Sequence, residues 1–260
     1  MKLDEFQGFH VHITYAIITF AYIILEFQLR NCKGDIGFLI DGSNSIIVDE
    51  LTMTIVNHNW NIIKDFILVL ARSVGISANG TRIAVVVFST DAILEVKFTD
   101  HDSYASFERA IIQIEIPAGE TNTIKGFDVA LNQMFDESLN GRSNAPKTLI
   151  YLTDGKCLMD GPCLNDINVP AACRFCRCSC NIDGIDCYAY NGLCPKRAFV
   201  EWGERFERNQ IRTIGIGVTD SVSRDEIIAV VGESNFYKIE NFNELLTKEF
   251  RQSLAICDRK

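Results

Sequence analysis

Apolar positions along the chain follow two alternating rhythms. Short, nearly unbroken apolar runs occur at Asp35 to Ile40 (DIGFLI), Arg82 to Phe88 (RIAVVVF), Thr148 to Leu152 (TLIYL), Ile211 to Ile216 and Phe236 to Ile239. Runs of this kind suit strands of a parallel sheet, which is buried on both faces because helices cover it from either side. Between the runs, apolar residues recur at three- and four-residue steps, which predicts helices. One spans Asn59 to Val74, carrying Trp60, Ile63, Phe66, Ile67 and Leu70 on one face. Further helices are expected over Phe107 to Ile114, from just after Thr123 (Phe127, Ala130, Leu131, Met134), over Ala198 to Arg208 and over Arg224 to Val231. Phe242, Leu245, Leu246, Phe250 and Leu254 mark one face of a terminal helix. Ile93 to Phe98 follows RIAVVVF after a short turn at Ser89 to Ala92 and reads as a strand joined to it, at an edge. The alternation of strands and helices predicts an α/β fold.

The first thirty residues stand apart. Ile13 to Leu25 is an uncharged, mostly apolar run of 13 residues closed by Glu26. A membrane span needs roughly 20 residues, so this run suits the core of a signal peptide, with an uncleaved signal anchor as the alternative. Only Lys2 stands against Asp4 and Glu5 ahead of it, and no small-x-small cleavage site follows. Residues 1–30 are therefore set apart as leader, and 31–257 as one main domain. With 260 residues, 47% of them hydrophobic, the chain is long enough to bury one substantial core. A net charge of -9 would repel a phosphate backbone, which argues against a nucleic-acid partner. Ten cysteines point to an oxidising compartment, secreted or at the cell surface. Asn79-Gly80-Thr81 adds an N-glycosylation sequon in a loop-like stretch.

Three segments carry candidate chemistry. The first strand runs into Asp41-Gly42-Ser43-Asn44-Ser45, where one carboxylate and two hydroxyls alternate in a tight turn. Such residues also cap helices, and alone the turn would say no more than that. Two further loops belong to the same expected edge of the sheet: Gly119-Glu120-Thr121-Asn122-Thr123 before a helix, and Thr153-Asp154-Gly155 after a strand. The ends of strands are where open α/β sheets place their ligands. An oxygen-only donor set rich in neutral hydroxyls suits a hard cation, Mg2+ with Mn2+ as the alternative, whereas zinc or copper would favour histidine or thiolate.

At this point the chain resembles the von Willebrand factor type A domain family, whose metal-ion-dependent adhesion site combines an Asp-x-Ser-x-Ser loop, a threonine in a second loop and an aspartate in a third. DIGFLIDGSNSI, RIAVVVFS, GETNTIKGFDVAL, TLIYLTDGK, IRTIGIGV and FYKIENFNELL are similar to its successive segments in the family order. The resemblance covers about Asp35 to Cys257 and implies a three-layer, doubly wound, Rossmann-like fold with a mostly parallel sheet. It also implies that Asp41, Ser43, Ser45, Thr121 and Asp154 hold the metal, with Thr123 the alternative to Thr121. The bound cation would accept a Glu or Asp side chain from a matrix or cell-surface protein. Related domains often tie their ends together, which implies a disulfide between Cys32 and Cys257.

Cys157 to Cys194 interrupts the family pattern with eight cysteines and little apolar periodicity. It reads as an insertion held by disulfides in place of a core of its own, placed beside the metal loops and so able to influence partner choice. Cys173 and Cys176 have zinc-ligand spacing, but no matching second pair accompanies them. A metal-dependent hydrolase is the main alternative activity. No histidine lies in the three loops, no Ser-His-Asp set can be assembled around His58 or His101, and no phosphate-cradling glycine loop is present. The expectation is therefore a binding module and not an enzyme. An intracellular type A scaffold would not need the cysteines or the leader.

Overall fold

β1 (Gly34–Asp41) is buried at every position, as its unbroken apolar run requires, and it lies at the centre of a six-stranded sheet. The computed structural model describes residues 33–49, 54–55, 57–155, 157 and 196–256. The leader, Cys32, Cys257 and the cysteine-rich insertion beyond Cys157 lie outside them. After β1 comes a single turn of helix, α1 (Asn44–Ile47), and a two-stranded antiparallel ribbon of β2 (Val48–Asp49) and β3 (Thr54–Ile55). The chain continues through α2 (His58–Val74), β4 (Thr81–Phe88), β5 (Ala92–Val96), α3 (Tyr104–Gln113) and α4 (Thr123–Val129). It then passes through β6 (Lys147–Thr153), α5 (Lys196–Arg208), β7 (Ile211–Val218), α6 (Arg224–Val231), β8 (Phe236–Ile239) and α7 (Lys248–Ser253). The main sheet has the order β5-β4-β1-β6-β7-β8, parallel except for β5, which pairs antiparallel with β4 as an edge strand. This is the doubly wound α/β architecture expected from the alternation.

Period-two side-chain alternation divides the sheet residues between two cores. Ile36, Phe38 and Ile40 of β1 face α2, where Trp60, Ile63, Phe66 and Leu70 are buried, together with Phe107 and Ile111 of α3. On the other face Leu39, Val86, Phe88, Leu149 and Tyr151 meet an aromatic cluster of Phe127, Phe199, Trp202 and Phe206. Phe127 is its hub, with ring centroids 5.2 Å from Tyr151 and 5.6 Å from Phe206. α5 and α6 approach closely because Gly203 has no side chain. A Cβ there would lie 2.7 Å from the carbonyl oxygen of Ala229 and 3.0 Å from that of Val230. Backbone cannot turn away as a side chain can, so Gly203→Ala is expected to cost about 1–3 kcal/mol of stability, checked by the shift in denaturation midpoint.

Two expectations require correction. The terminal helix is not continuous: a 3-10 turn at Phe242–Leu246 is separated from α7 by Thr247, whose backbone is extended. The Thr247 hydroxyl donates to the carbonyl of Glu244 and accepts from the Phe250 amide, ending one helix and starting the next. The helix after Thr123 also loses its α geometry at Ala130, continuing as a π turn to Met134. Elsewhere the elements match their expected positions to within a few residues.

Candidate metal centre at the strand ends

β1, β4 and β6 end side by side, so the segments leaving them share one edge of the sheet. The first loop is pinned to its neighbours by backbone bonds: the Gly42 amide donates to Phe88 O (2.7 Å) and the Asn44 amide to Gly119 O (3.0 Å). The second loop is held by the Asn122 amide, which donates to Ser89 O at 2.8 Å. It turns through Ala118 (φ 57°) and Gly119 (φ 102°), both in the left-handed region. Gly119 suits this turn twice over, since it tolerates positive φ and a Cβ there would lie 2.6 Å from Thr90 Oγ1.

Within this frame the expected donors converge. Asp41 is fully buried; its Oδ1 accepts from the Ser43 amide (2.9 Å) and its Oδ2 from Thr153 Oγ1 (2.5 Å). Ser43 Oγ lies 3.0 Å from Ser45 Oγ, and Ser45 Oγ donates to Asp154 Oδ1 at 2.7 Å, joining residues 109 positions apart. Because that hydroxyl proton points to Asp154, Ser45 accepts the bond from Ser43, and its second lone pair remains available to a cation. Thr121 belongs to the same group: a Cβ on Gly155 would lie 3.4 Å from Thr121 Oγ1 and 3.8 Å from Ser45 Oγ. Thr123, the alternative to Thr121, lies next to Tyr151: its side chain is fully buried, with Oγ1 3.5 Å from the Tyr151 hydroxyl. Ser43, Thr121 and Asp154 are also buried, whereas Ser45 is exposed and opens the cluster to solvent.

The donor set fits a hard divalent ion. Burial pushes the Asp41 carboxyl above the ordinary carboxylate range, against the opposing pull of hydrogen bonds from Thr153 and Ser43. An adjacent cation would offset that desolvation and favour the ionised form. Among the described residues no group of three or more His, Cys, Asp or Glu side chains offers a rival metal site. Thr153 and the Gly119 carbonyl are contributors that motif reading missed. Thr153 looked like the end of a strand, and a backbone carbonyl leaves no mark in a sequence.

Of the other expected site residues, Asn79 is exposed in the turn before β4, whereas Thr81 of the same sequon is buried. Cys157 is buried and disulfide-bonded, and its amide donates to Glu226 Oε2 at 3.0 Å, which anchors the start of the insertion to α6. No helix among the described residues is long and apolar enough to cross a membrane.

Comparison with known proteins supports the same fold and family. The family model described as von Willebrand factor type A domain matches residues 35–252. Mouse vitrin is 29% identical over 143 residues, covering 55% of this chain and 19% of vitrin. The human collagen alpha-5(VI) chain is 32% identical over 123 residues, covering 47% of this chain and 4% of the collagen chain. The chain thus spans a fifth or less of these relatives. Among solved structures, proximal thread matrix protein 1 from the mussel byssus, with a zinc-occupied MIDAS motif, superposes with a TM-score of 0.63 at 18% identity, covering 87% of this chain and 46% of that one. These matches set the chain among secreted and extracellular-matrix proteins.

Proposed function

We propose, since the chain belongs to the von Willebrand factor type A domain family, that it is an extracellular adhesion or matrix-binding module that grips a protein partner through one divalent cation. Asp41, Ser43, Ser45, Thr121 and Asp154 would hold the ion. The observation that carries this reading is the Ser43–Ser45–Asp154 hydrogen-bonded chain, which brings the first and third loops to one point next to buried Asp41. The cation would supply an electrophilic coordination place for a Glu or Asp side chain of the partner. The protein supplies only oxygen donors, two of them carboxylates, which suits Mg2+, with Mn2+ also accommodated. The zinc held by the mussel relative supports a divalent ion at this position of the fold.

The proposed donors are carboxylates and hydroxyls with no histidine among them, which supports reading the site as a binding site rather than a catalytic one. Residues 31–257 would form the adhesive domain, the 157–194 insertion would lie beside the cation as a disulfide-held determinant of partner choice, and a Cys32–Cys257 disulfide would close the ends. Asn79, exposed in its turn, is proposed as a glycan acceptor.

Immobilised protein incubated with an extracellular-matrix extract is expected to retain a partner in millimolar Mg2+ and to release it in chelator. Calorimetry with Mg2+ alone should show one site. Retention unaffected by chelator would refute the cation-mediated mode.

A further inference from the structure

We propose that Thr153, which is not among the metal donors, is the positioning residue that sets Asp41 for the cation and locks the first loop to the third; the inference rests on the cation-site reading above. Thr153 is the last residue of β6 and is fully buried. β1 and β6 are paired through Ile40 and Leu152, so Asp41 and Thr153 stand one step further along, at the ends of adjacent strands. The Thr153 hydroxyl has one proton and commits it to Asp41 Oδ2 at 2.5 Å, within the range of a charge-assisted O–H···O⁻ bond. Its oxygen in turn accepts the Gly155 amide at 3.2 Å, in the turn that carries Asp154. One side chain therefore bridges the two acidic loops.

Asp41 is held at both ends as a result. With Oδ1 bound to the Ser43 amide and Oδ2 to Thr153, its carboxylate cannot rotate without breaking a buried hydrogen bond. β-Branching limits the Thr153 side chain to few rotamers, so the hydroxyl itself is fixed by the strand. A cation therefore meets a carboxylate already oriented, and pays no ordering cost for it. Removing the hydroxyl would leave Asp41 Oδ2 buried and without its donor, free to turn away from the position that binding needs.

The test is calorimetric titration of the chelator-stripped full chain with Mg2+ and with Mn2+, together with the melting temperature of the cation-free protein. Thr153→Val keeps the shape and removes the hydroxyl, and is expected to weaken cation binding by about 10- to 100-fold, the range for outer partners of metal ligands. Thr153→Ser restores the donor and is expected to recover affinity to near that of the wild type. Thr153→Ala gives the same reading if the valine variant fails to fold. A lowered melting temperature with unchanged cation affinity in the valine or alanine variant would show a purely structural role and overturn the inference alone. Failure of the wild type to take up either cation would overturn the cation-site reading, and this inference with it.

Discussion

Asp41→Asn is expected to abolish cation binding, and cation-dependent partner capture with it, while leaving the cation-free protein at least as stable as the wild type. The substitution conserves shape: the amide oxygen can still accept from the Ser43 amide, and the amide nitrogen can donate to Thr153 Oγ1 in place of the present bond. What is lost is the negative charge, and the loss in cation affinity should exceed the roughly 100-fold upper range for outer partners, because Asp41 is a proposed member of the donor set itself. The stability expectation follows from linkage. Burial raises the Asp41 pKa in the fold, so the folded state holds the proton more tightly than the unfolded chain does. The resulting penalty on folding is absent below the unfolded carboxylate pKa, grows as pH rises towards the folded value, and is complete above it. The wild-type cation-free protein should therefore gain stability on mild acidification, and Asp41→Asn should not show that gain. Melting curves in chelator at several pH values would decide it: a variant much less stable than the wild type at neutral pH would mean that the charge is favourable where it sits, with no cation needed to offset it.

Much of this was legible in the sequence for identifiable physical reasons. β1, β4 and β6 are buried on both faces, and such strands must be written as unbroken apolar runs. α2 has a well-marked apolar stripe because one side of it packs on the sheet. The break at Thr247 was not legible, since a 3-10 turn and an α-helix place apolar residues at similar spacings. Phe242, Leu245 and Leu254 are all buried whether or not the helix is continuous. Ala130 to Met134 shifts to π geometry with nothing in ALNQM to announce it. At the site, Asp41, Ser43, Ser45 and Asp154 could be picked out by residue type and spacing, because charge and hydroxyl chemistry follow from the side chain alone. The choice between Thr121 and Thr123 depends on which way each side chain points, which residue type and spacing do not give. Thr153 acts through two hydrogen bonds that only the pairing of β1 with β6 creates.

The largest expected effect on stability lies at the opposite end of β1. Asp35 is completely buried, and its carboxylate accepts five hydrogen bonds: two from the Arg82 guanidinium, two from the Arg142 guanidinium and one from the Arg142 amide. Arg82 also donates to Asn140 O and Arg142 to Gly80 O, so the cluster fastens the starts of β1 and β4 to the loop before β6. The two guanidinium side chains are themselves only 11% and 22% exposed, which leaves them little access to water if the carboxylate is removed. Asp35→Ala is expected to cost about 3–5 kcal/mol, the range for breaking a buried ion pair from one side. That is a large part of the roughly 5–15 kcal/mol that holds a domain folded. Because the uncompensated guanidinium is the source of the penalty, Arg82→Ala in the Asp35→Ala background should cost less than Arg82→Ala in the wild type. Burial also shields the cluster from salt, so the loss should persist at high ionic strength. Six residue steps of strand, on the order of 20 Å, separate Asp35 from Asp41, and the folded fraction of Asp35→Ala should bind Mg2+ with wild-type affinity. Denaturant titration of the single and double variants measures the first two expectations and calorimetry the last. Strict additivity would mean that the two residues do not act as one buried cluster.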